Sequence, residues 1–117
     1  MTRDGAIMSK FAMFFSYTPG TWAKMIENPN DRTAAVSALV EGVGGKLEAL
    51  YYMLGDRDGF VVFDAPDPES AGALALAVNS SGAFSSVQAS QLIEAGNLTS
   101  VLRTADSARG KYQRPGD

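Results

Sequence analysis

The chain contains no cysteine and no histidine. This excludes disulfides, cysteine nucleophiles, His-based catalytic triads, axial-histidine haem and the usual zinc sites. Any chemistry must rest on carboxylates, Lys, Arg, Tyr, Ser or a borrowed cofactor, and we expect neither a metal nor a cofactor.

Long apolar runs are also missing, since the longest are a handful of residues against the roughly 20 needed to span a bilayer. No signal-peptide apolar region follows the N-terminus, so we expect a cytoplasmic protein without a membrane partner. The net charge is -3 and no basic stripe is interleaved with aromatic residues. A nucleic-acid partner is therefore not expected either.

What is present is ordinary for a globular protein: 117 residues, of which 45% are hydrophobic and 20% charged. A chain of this length forms one domain and buries roughly two-thirds of its unfolded surface. We predict a flexible leader over residues 1–9, the domain over residues 10–97, and a C-terminal helix with a loose, mildly basic tail over residues 98–117. For the tail, a solvated terminal segment is the expectation.

The segment Lys46–Pro66 predicts a β-hairpin, because two runs rich in aromatic and branched residues, Leu47–Leu54 and Phe60–Ala65, flank the turn formers Gly55–Gly59. Strict alternation places Leu47, Tyr51 and Met53 on one face. Leu50, Tyr52 and Leu54 then lie on the other. Both faces are apolar, so neither can remain in water.

The rest of the chain predicts two more strands and two helices around this hairpin. The predicted elements are a strand Lys10–Tyr17, a short helical turn capped by Thr21, a helix from Asn30 or Asp31 to about Val43, a helix capped by Asp67 with Pro68 at its first position, and an edge strand Ala83–Ile93. The order β-α-β-β-α-β indicates a ferredoxin-like α+β sandwich with a four-stranded antiparallel sheet. Strands one and three, the most apolar, occupy its centre.

In this fold both helices cover the same face of the sheet, which leaves the other face bare. Four short strands present roughly 400 Å² there, and a monomer rarely exposes so large an apolar surface. We therefore expect the chain to pair with itself, sheet to sheet, as a dimeric α+β barrel or a higher even-numbered oligomer. Residual volume between the sheets can then hold a small apolar ligand.

Four separated blocks carry a family resemblance: Phe15–Pro19, Gly44–Glu48, Tyr52–Gly59 and Ala77–Ala83. With them the chain, from about Ser9 to Leu102, resembles the GYD-domain family of small bacterial proteins. The resemblance implies a dimeric α+β barrel without a settled function. One position departs from the family pattern, because Gly55-Asp56-Arg57-Asp58 has Arg57 where the Gly-x-Tyr-Asp motif has its tyrosine.

Several residues are candidates for a site, each with a structural alternative. Aromatic rings can line a pocket and stack on a planar ligand, or simply pack in the core. Polar groups at the end of a helix can face a cavity, and a charged hairpin tip can bind a cation or simply form the turn. Lys46 and Glu48 can be an acid/base pair or a solvated ion pair. The candidates are the rings Tyr17, Trp22, Tyr51 and Tyr52, the helix-end residues Asn79, Ser80 and Ser81, and the hairpin motif Gly55, Asp56, Arg57 and Asp58.

Two functional classes remain open. The first is a module that binds a small apolar or aromatic molecule. The second is a cofactor-independent enzyme, similar to the monooxygenases and isomerases of this fold. Lack of histidine weakens the second, since the commonest general base near neutral pH is absent. A purely structural or assembly role is a third alternative.

Overall fold

The computed structural model describes residues 7–117, so positions 1–6 of the expected leader lie outside the described residues. Four strands and four α-helices follow one another along the chain. They are β1 (Ser9–Tyr17), α1 (Pro19–Glu27), α2 (Thr33–Glu41), β2 (Lys46–Tyr52), β3 (Gly59–Ala65), α3 (Pro68–Asn79), β4 (Phe84–Gln91), a 3₁₀ turn (Ala95–Asn97) and α4 (Leu98–Arg109).

The strands form one antiparallel sheet in the order β2-β3-β1-β4. The ferredoxin-like α+β fold is thereby confirmed, with β1 and β3 in the centre and β4 at an edge. These two central strands are the most apolar of the four. A central strand has a neighbouring strand along each of its edges and is therefore more buried than an edge strand.

The hydrophobic core lies on one side of this sheet, which we call the covered face. Phe11, Met13 and Phe15 of β1 alternate into it, as do Val61, Phe63 and Ala65 of β3. Above them, α2 contributes Val40, and α3 contributes Ala71, Leu74 and Val78. Helix α3 begins as predicted, with the Asp67 carboxylate accepting a hydrogen bond from the Ser70 N–H at 2.7 Å.

The first two helices begin elsewhere than predicted. Thr18, not Thr21, caps α1, with its hydroxyl accepting from the Thr21 N–H at 3.2 Å, and α1 runs on to Glu27. Helix α2 starts at Thr33 rather than at Asn30 or Asp31. Asp31 nevertheless accepts from the Thr33 N–H at 2.9 Å, so it stabilises the entry to the helix from outside it.

The predicted division of faces in β2 is wrong, because the register shifts between Leu47 and Ala49. Leu47 pairs with Phe63 on the covered face, and after this β-bulge Tyr51 pairs with Phe60 on the opposite one. A single extra residue reverses the alternation of everything that follows it. Beyond the bulge, Leu50 and Tyr52 share the covered face with Leu47.

The side of the sheet away from the helices is its open face. Phe14 and Phe60 lie across from each other there with ring centroids 5.5 Å apart, and Tyr51 stands 5.6 Å from Phe60 on the other side. On the β4 side the open face is polar, with Ser86, Gln88 and Ser90 exposed. The apolar part is therefore concentrated on β1, β3 and β2.

Helix α4 forms over the predicted residues, but it hardly touches the rest of the domain. Its main contact with another element is with the short turn before it, and each of its residues is exposed. The radius of gyration is 17.7 Å, against about 13 Å for a compact chain of this length. No helix in the described part of the chain is long and apolar enough to cross a membrane.

Candidate functional site

A cavity of about 540 Å³ lies between the helices and the covered face of the sheet. Its walls are mostly apolar, and its residues come from all four strands beneath and from the helical layer above. The lining comprises Met13, Phe15, Tyr17, Thr21, Lys24, Met25, Asn28, Asn30, Arg32, Val36, Leu39, Leu50, Val61, Ala77, Val78, Ser81, Ala83 and Phe84. The cavity is thus formed within one chain, not between two sheets.

Aromatic rings form one end of the cavity. Tyr17, the last residue of β1, packs against Phe84 at the start of β4 with centroids 4.9 Å apart, and Phe15 meets Phe84 edge to face at 5.8 Å. Because β1 and β4 are neighbours, their aromatic residues are brought side by side on the same face. This end offers flat apolar surface for a planar ligand.

The Tyr17 hydroxyl is the half-buried polar group of that aromatic end. It lies 3.3 Å from the hydroxyl of Tyr52. Burial raises the pKa of the Tyr17 phenol well above its ordinary value, the Tyr52 hydroxyl raises it further, and Arg32 acts in the opposite direction. The phenol therefore stays protonated near neutral pH and can donate a hydrogen bond, but it cannot act as a base.

Two cations stand at the rim. Lys24 of α1 and Arg32, which precedes α2, are the charged residues among those that line the cavity, and both side chains are exposed. Neutral polar groups lie beside them, including the Thr21 hydroxyl, which donates to the Ala83 carbonyl at 2.8 Å. An apolar interior with a positive rim suits a ligand with an apolar body and an anionic or accepting group.

Asp58 fixes this end of the domain. Its Oδ2 accepts from the Tyr17 N–H at 2.8 Å and from the indole Nε1 of Trp22 at 3.0 Å. Trp22 in turn meets the Tyr17 ring edge to face with centroids 5.2 Å apart. The hairpin carboxylate thereby joins the end of β1 to α1, and its role is to position the aromatic cluster.

The structure brings together three of the four predicted aromatic residues. Tyr17 lines the cavity, while Trp22 and Tyr52 contact Tyr17 from behind without reaching the cavity themselves. Tyr51 lies on the open face, 60% exposed, because of the bulge in β2. It is therefore separated from the other three by the sheet.

Most of the remaining predicted residues lie away from the cavity, and Ser81 is the exception. Asn79 and Ser80 are exposed at the end of α3, and the next residue, Ser81, lines the cavity. Gly55 and Asp56 are exposed at the hairpin tip.

The predicted pair Lys46 and Glu48 is not formed. Glu48 binds Lys10 instead, with 2.8 Å between Nζ and Oε2, and Lys10 also lies 3.2 Å from Asp64. Among residues 7–117, no three His, Cys, Asp or Glu side chains lie together as a metal site.

Sequence reasoning missed the two cations and Phe84 as parts of a site. Phe84 was within the predicted edge strand, and its aromatic type was the available signal. The sequence contains no comparable signal for Lys24 and Arg32, because they are single charges near helix ends, where exposed basic residues are common. Only the packing of α1 and α2 over the sheet brings them to one rim.

The chain is similar to one family of known domains. The model of the GYD domain matches residues 11–102. No curated protein matches the chain. Among solved structures, MtbAldR superposes with a TM-score of 0.49 at 12% identity, over 79% of this chain and 55% of that one. The chain thus spans about half the length of MtbAldR. Since the match to the family model covers most of its length, the chain belongs to the GYD domain family.

Proposed function

We propose that this GYD-domain protein binds a small apolar or aromatic molecule in the cavity on the covered face, and that the ligand carries an anionic or hydrogen-bond-accepting group. One observation carries the proposal: the cavity is apolar and aromatic inside, and its ionisable groups are a protonated phenol and two cations, without a carboxylate. Its volume of about 540 Å³ is in the range of small-molecule sites.

A matched pair of substitutions on α3 tests the location. Ala77 lines the cavity, whereas Ala73, one turn earlier on the same helix, is exposed and does not line it. With anilinonaphthalene sulfonate, an anionic aromatic probe, we expect fluorescence titration to show saturable binding that Ala77→Trp abolishes and Ala73→Trp preserves. Equal binding by both variants, with both folded by circular dichroism, would refute this location.

A second pair tests the charge at the rim. Arg32→Gln removes a cation at the cavity, and Arg103→Gln removes one on α4, outside it. We expect Arg32→Gln to weaken probe binding several-fold and to reduce its dependence on salt, since attraction between exposed charges is screened. If Arg103→Gln has the same effect, only the overall charge matters and the rim is not the binding group.

An enzyme is the second candidate, and the half-buried Tyr17 phenol favours it. A neutral phenol beside a bound substrate can donate a hydrogen bond to an oxyanion that develops there. For any ligand that co-purifies and is converted by the protein, Tyr17→Phe is expected to lower the turnover rate more than the affinity. Turnover that Tyr17→Phe leaves unchanged would exclude this role.

We also propose that two copies pair through the open face. Phe14, Phe60 and Tyr51 form an apolar surface there that the described chain leaves uncovered. On the same face Arg57 donates to the Gln88 side chain at 2.8 Å, while its Nη1, a buried atom, has no hydrogen-bond partner in the described chain.

Sedimentation equilibrium tests this pairing. Phe60→Lys places a charge in the apolar surface, and Leu76→Lys makes the same kind of change at a position of α3 that is 72% exposed. We expect the unchanged protein and Leu76→Lys to be dimers and Phe60→Lys to be a monomer. A monomeric unchanged protein would refute the pairing.

A further inference from the structure

Helix α4 carries an apolar stripe that no part of its own chain covers. Leu98, Val101, Leu102 and Ala105 follow the i, i+3, i+4, i+7 spacing of one helix face. The first three are 47%, 41% and 58% exposed. A helix of 12 residues is marginal in water unless it buries such a face. The α4 stripe, as we call these four residues, therefore requires a partner surface.

The apolar surface continues from the stripe toward the sheet. Leu92 and Ile93, which connect β4 to the turn before α4, are 38% and 58% exposed. The stripe is thus part of a longer apolar strip that starts where the sheet ends. Such a strip is larger than the scattered single residues that are normal on a monomer surface.

The open face is the second uncovered apolar surface of the same chain. Its apolar part is on β1, β3 and β2, whereas α4 leaves from β4, the opposite edge of the sheet. Each copy therefore has one apolar strip and one apolar face, neither of which it covers itself. In a dimer with two-fold symmetry, the strip of each copy can lie against the β2 side of the other copy's open face while the rest of the two faces pair.

Charge supports a second copy of this chain as the partner. Residues 98–117 contain four Lys or Arg and two Asp, a net charge of +2, while residues 1–97 contain six basic and eleven acidic residues, a net charge of -5. On the open face Glu48 and Asp64 already pair with Lys10, so the complementarity is between the segment and the domain as a whole. The C-terminal segment and the domain are thus electrostatically complementary.

We infer that α4 of one copy docks its stripe on the β2 side of the open face of a second copy, beside Tyr51, while the centre of that face around Phe14 and Phe60 pairs with the other sheet. Each subunit is then clamped by the C-terminal helix of the other. The inference adds to the proposed pairing of open faces and is independent of ligand binding in the cavity. It gives α4 a role in assembly in place of the solvated tail that the sequence indicated.

Absence of cysteine makes the contact directly testable. One chain carries Leu102→Cys on the stripe, and a second chain carries Ala49→Cys, which pairs with Val62 on the open face. The two chains are mixed, equilibrated in a glutathione redox buffer and weighed by intact mass spectrometry. We expect the mixed disulfide to form in large excess over the control mixture of Ala49→Cys with Ser107→Cys, which lies on the opposite side of α4. Equal yields of mixed disulfide in the two mixtures would overturn the inference. A product that consists mainly of two Leu102→Cys chains joined to each other would overturn it as well.

A second measurement separates this inference from the proposed pairing of open faces. The double variant Leu98→Ser, Leu102→Ser keeps the helix but removes half of the stripe. We expect its dimer dissociation constant, from sedimentation equilibrium, to rise at least tenfold. An unchanged constant, with Phe60→Lys still monomeric, would mean that the faces pair without α4. A protein that is monomeric without any substitution would overturn both proposals.

Discussion

The two faces of the sheet are formed by the same strands, yet the described chain covers only one of them with helices. On the covered face Phe63 is fully buried beneath the helices. Phe60, three positions before it, lies on the open face and is only partly buried, beside the rings of Phe14 and Tyr51. Apolar residues on both sides of a strand thus show that both sides are to be buried, but not whether a helix or another molecule buries them.

The hairpin shows the same division in consecutive residues. The Arg57 side chain lies on the open face, where its guanidinium is 5.7 Å from the Phe14 ring centroid. Asp58 serves the other end of the sheet, where it binds Tyr17 and Trp22. One turn therefore fastens the domain and shapes the surface that we propose as an interface.

The largest expected difference between the faces is between two phenylalanines. Phe63→Ala leaves a cavity in a closed core, so we expect it to lower the free energy of unfolding by about 3–5 kcal/mol. Phe60→Ala in the monomer removes a ring that is only half-buried, so its effect should be less than half as large. Urea unfolding at low protein concentration measures both. Equal losses would show that the open face is as well packed as the core.

Next in size is the pair of hairpin residues. Asp58→Ala leaves the Trp22 indole and the Tyr17 amide without their acceptor, and we expect a loss of about 2–3 kcal/mol. Asp56→Ala, at the exposed tip of the same hairpin, is expected to cost about 0.5 kcal/mol or less. Urea unfolding checks both, and tryptophan fluorescence should shift only in Asp58→Ala. A stability loss in Asp56→Ala that equals the loss in Asp58→Ala would contradict the anchoring role of Asp58.

A glycine at the start of β3 gives a prediction about close packing. A Cβ on Gly59 would lie 2.6 Å from both the Phe15 ring and the Tyr51 carbonyl. Gly59→Ala is expected to cost about 1–3 kcal/mol, because a ring in a packed core and a strand must both shift. At Gly55 nothing lies within 4 Å, so Gly55→Ala should be close to neutral. Thermal unfolding compares the two variants. A melting temperature of Gly55→Ala below that of Gly59→Ala would contradict the prediction.

The smallest expected effect concerns the ion pairs of the open face. The Glu48 carboxylate raises the pKa of Lys10, with Asp64 adding to it. A raised pKa means that the stabilisation is complete below the ordinary value of 10.5 and is lost as the pH rises through the folded-state value. Since these side chains are partly exposed, Lys10→Met should cost less than about 1 kcal/mol at neutral pH.

Urea unfolding at a series of pH values tests this sign. The difference between the unchanged protein and Lys10→Met should be constant from neutral pH to about pH 9 and should shrink above the ordinary Lys value near 10.5. Comparison of the two proteins cancels the ionisation of tyrosines, which both contain. A difference that grows with alkaline pH would be inconsistent with the observed pairing.

Much of the fold follows from local patterns. The helix capped by Asp67 and the helix Leu98–Arg109 form where sequence signals place them, because caps and turns act over a few residues. The central positions of β1 and β3 follow from their apolar character. By contrast, alternation in β2 failed at the bulge near Glu48, since register depends on the partner strand and not on the strand alone.

The candidate site was predicted less completely. Tyr17, Trp22 and Tyr52 do cluster, because aromatic residues at the ends of neighbouring elements share one end of the core. Tyr51 lies on the open face because of the bulge in β2. Asn79 and Ser80 lie one or two positions before Ser81, which lines the cavity. Arg32 and Lys24 could not be found, since their meeting depends on how two helices lie over the sheet.

The sequence by itself determined the order of the elements, the central strands, the absence of thiol and imidazole side chains, and the apolar character of both sheet faces. These properties depend on residue type and short-range spacing, which a linear pattern contains in full. Only the tertiary structure decided which face the helices cover, where the cavity opens, which cations stand at its rim, and that α4 projects with its apolar stripe bare. Those properties depend on contacts between residues far apart in the chain. The local spacing of residue types does not determine the energies of such contacts.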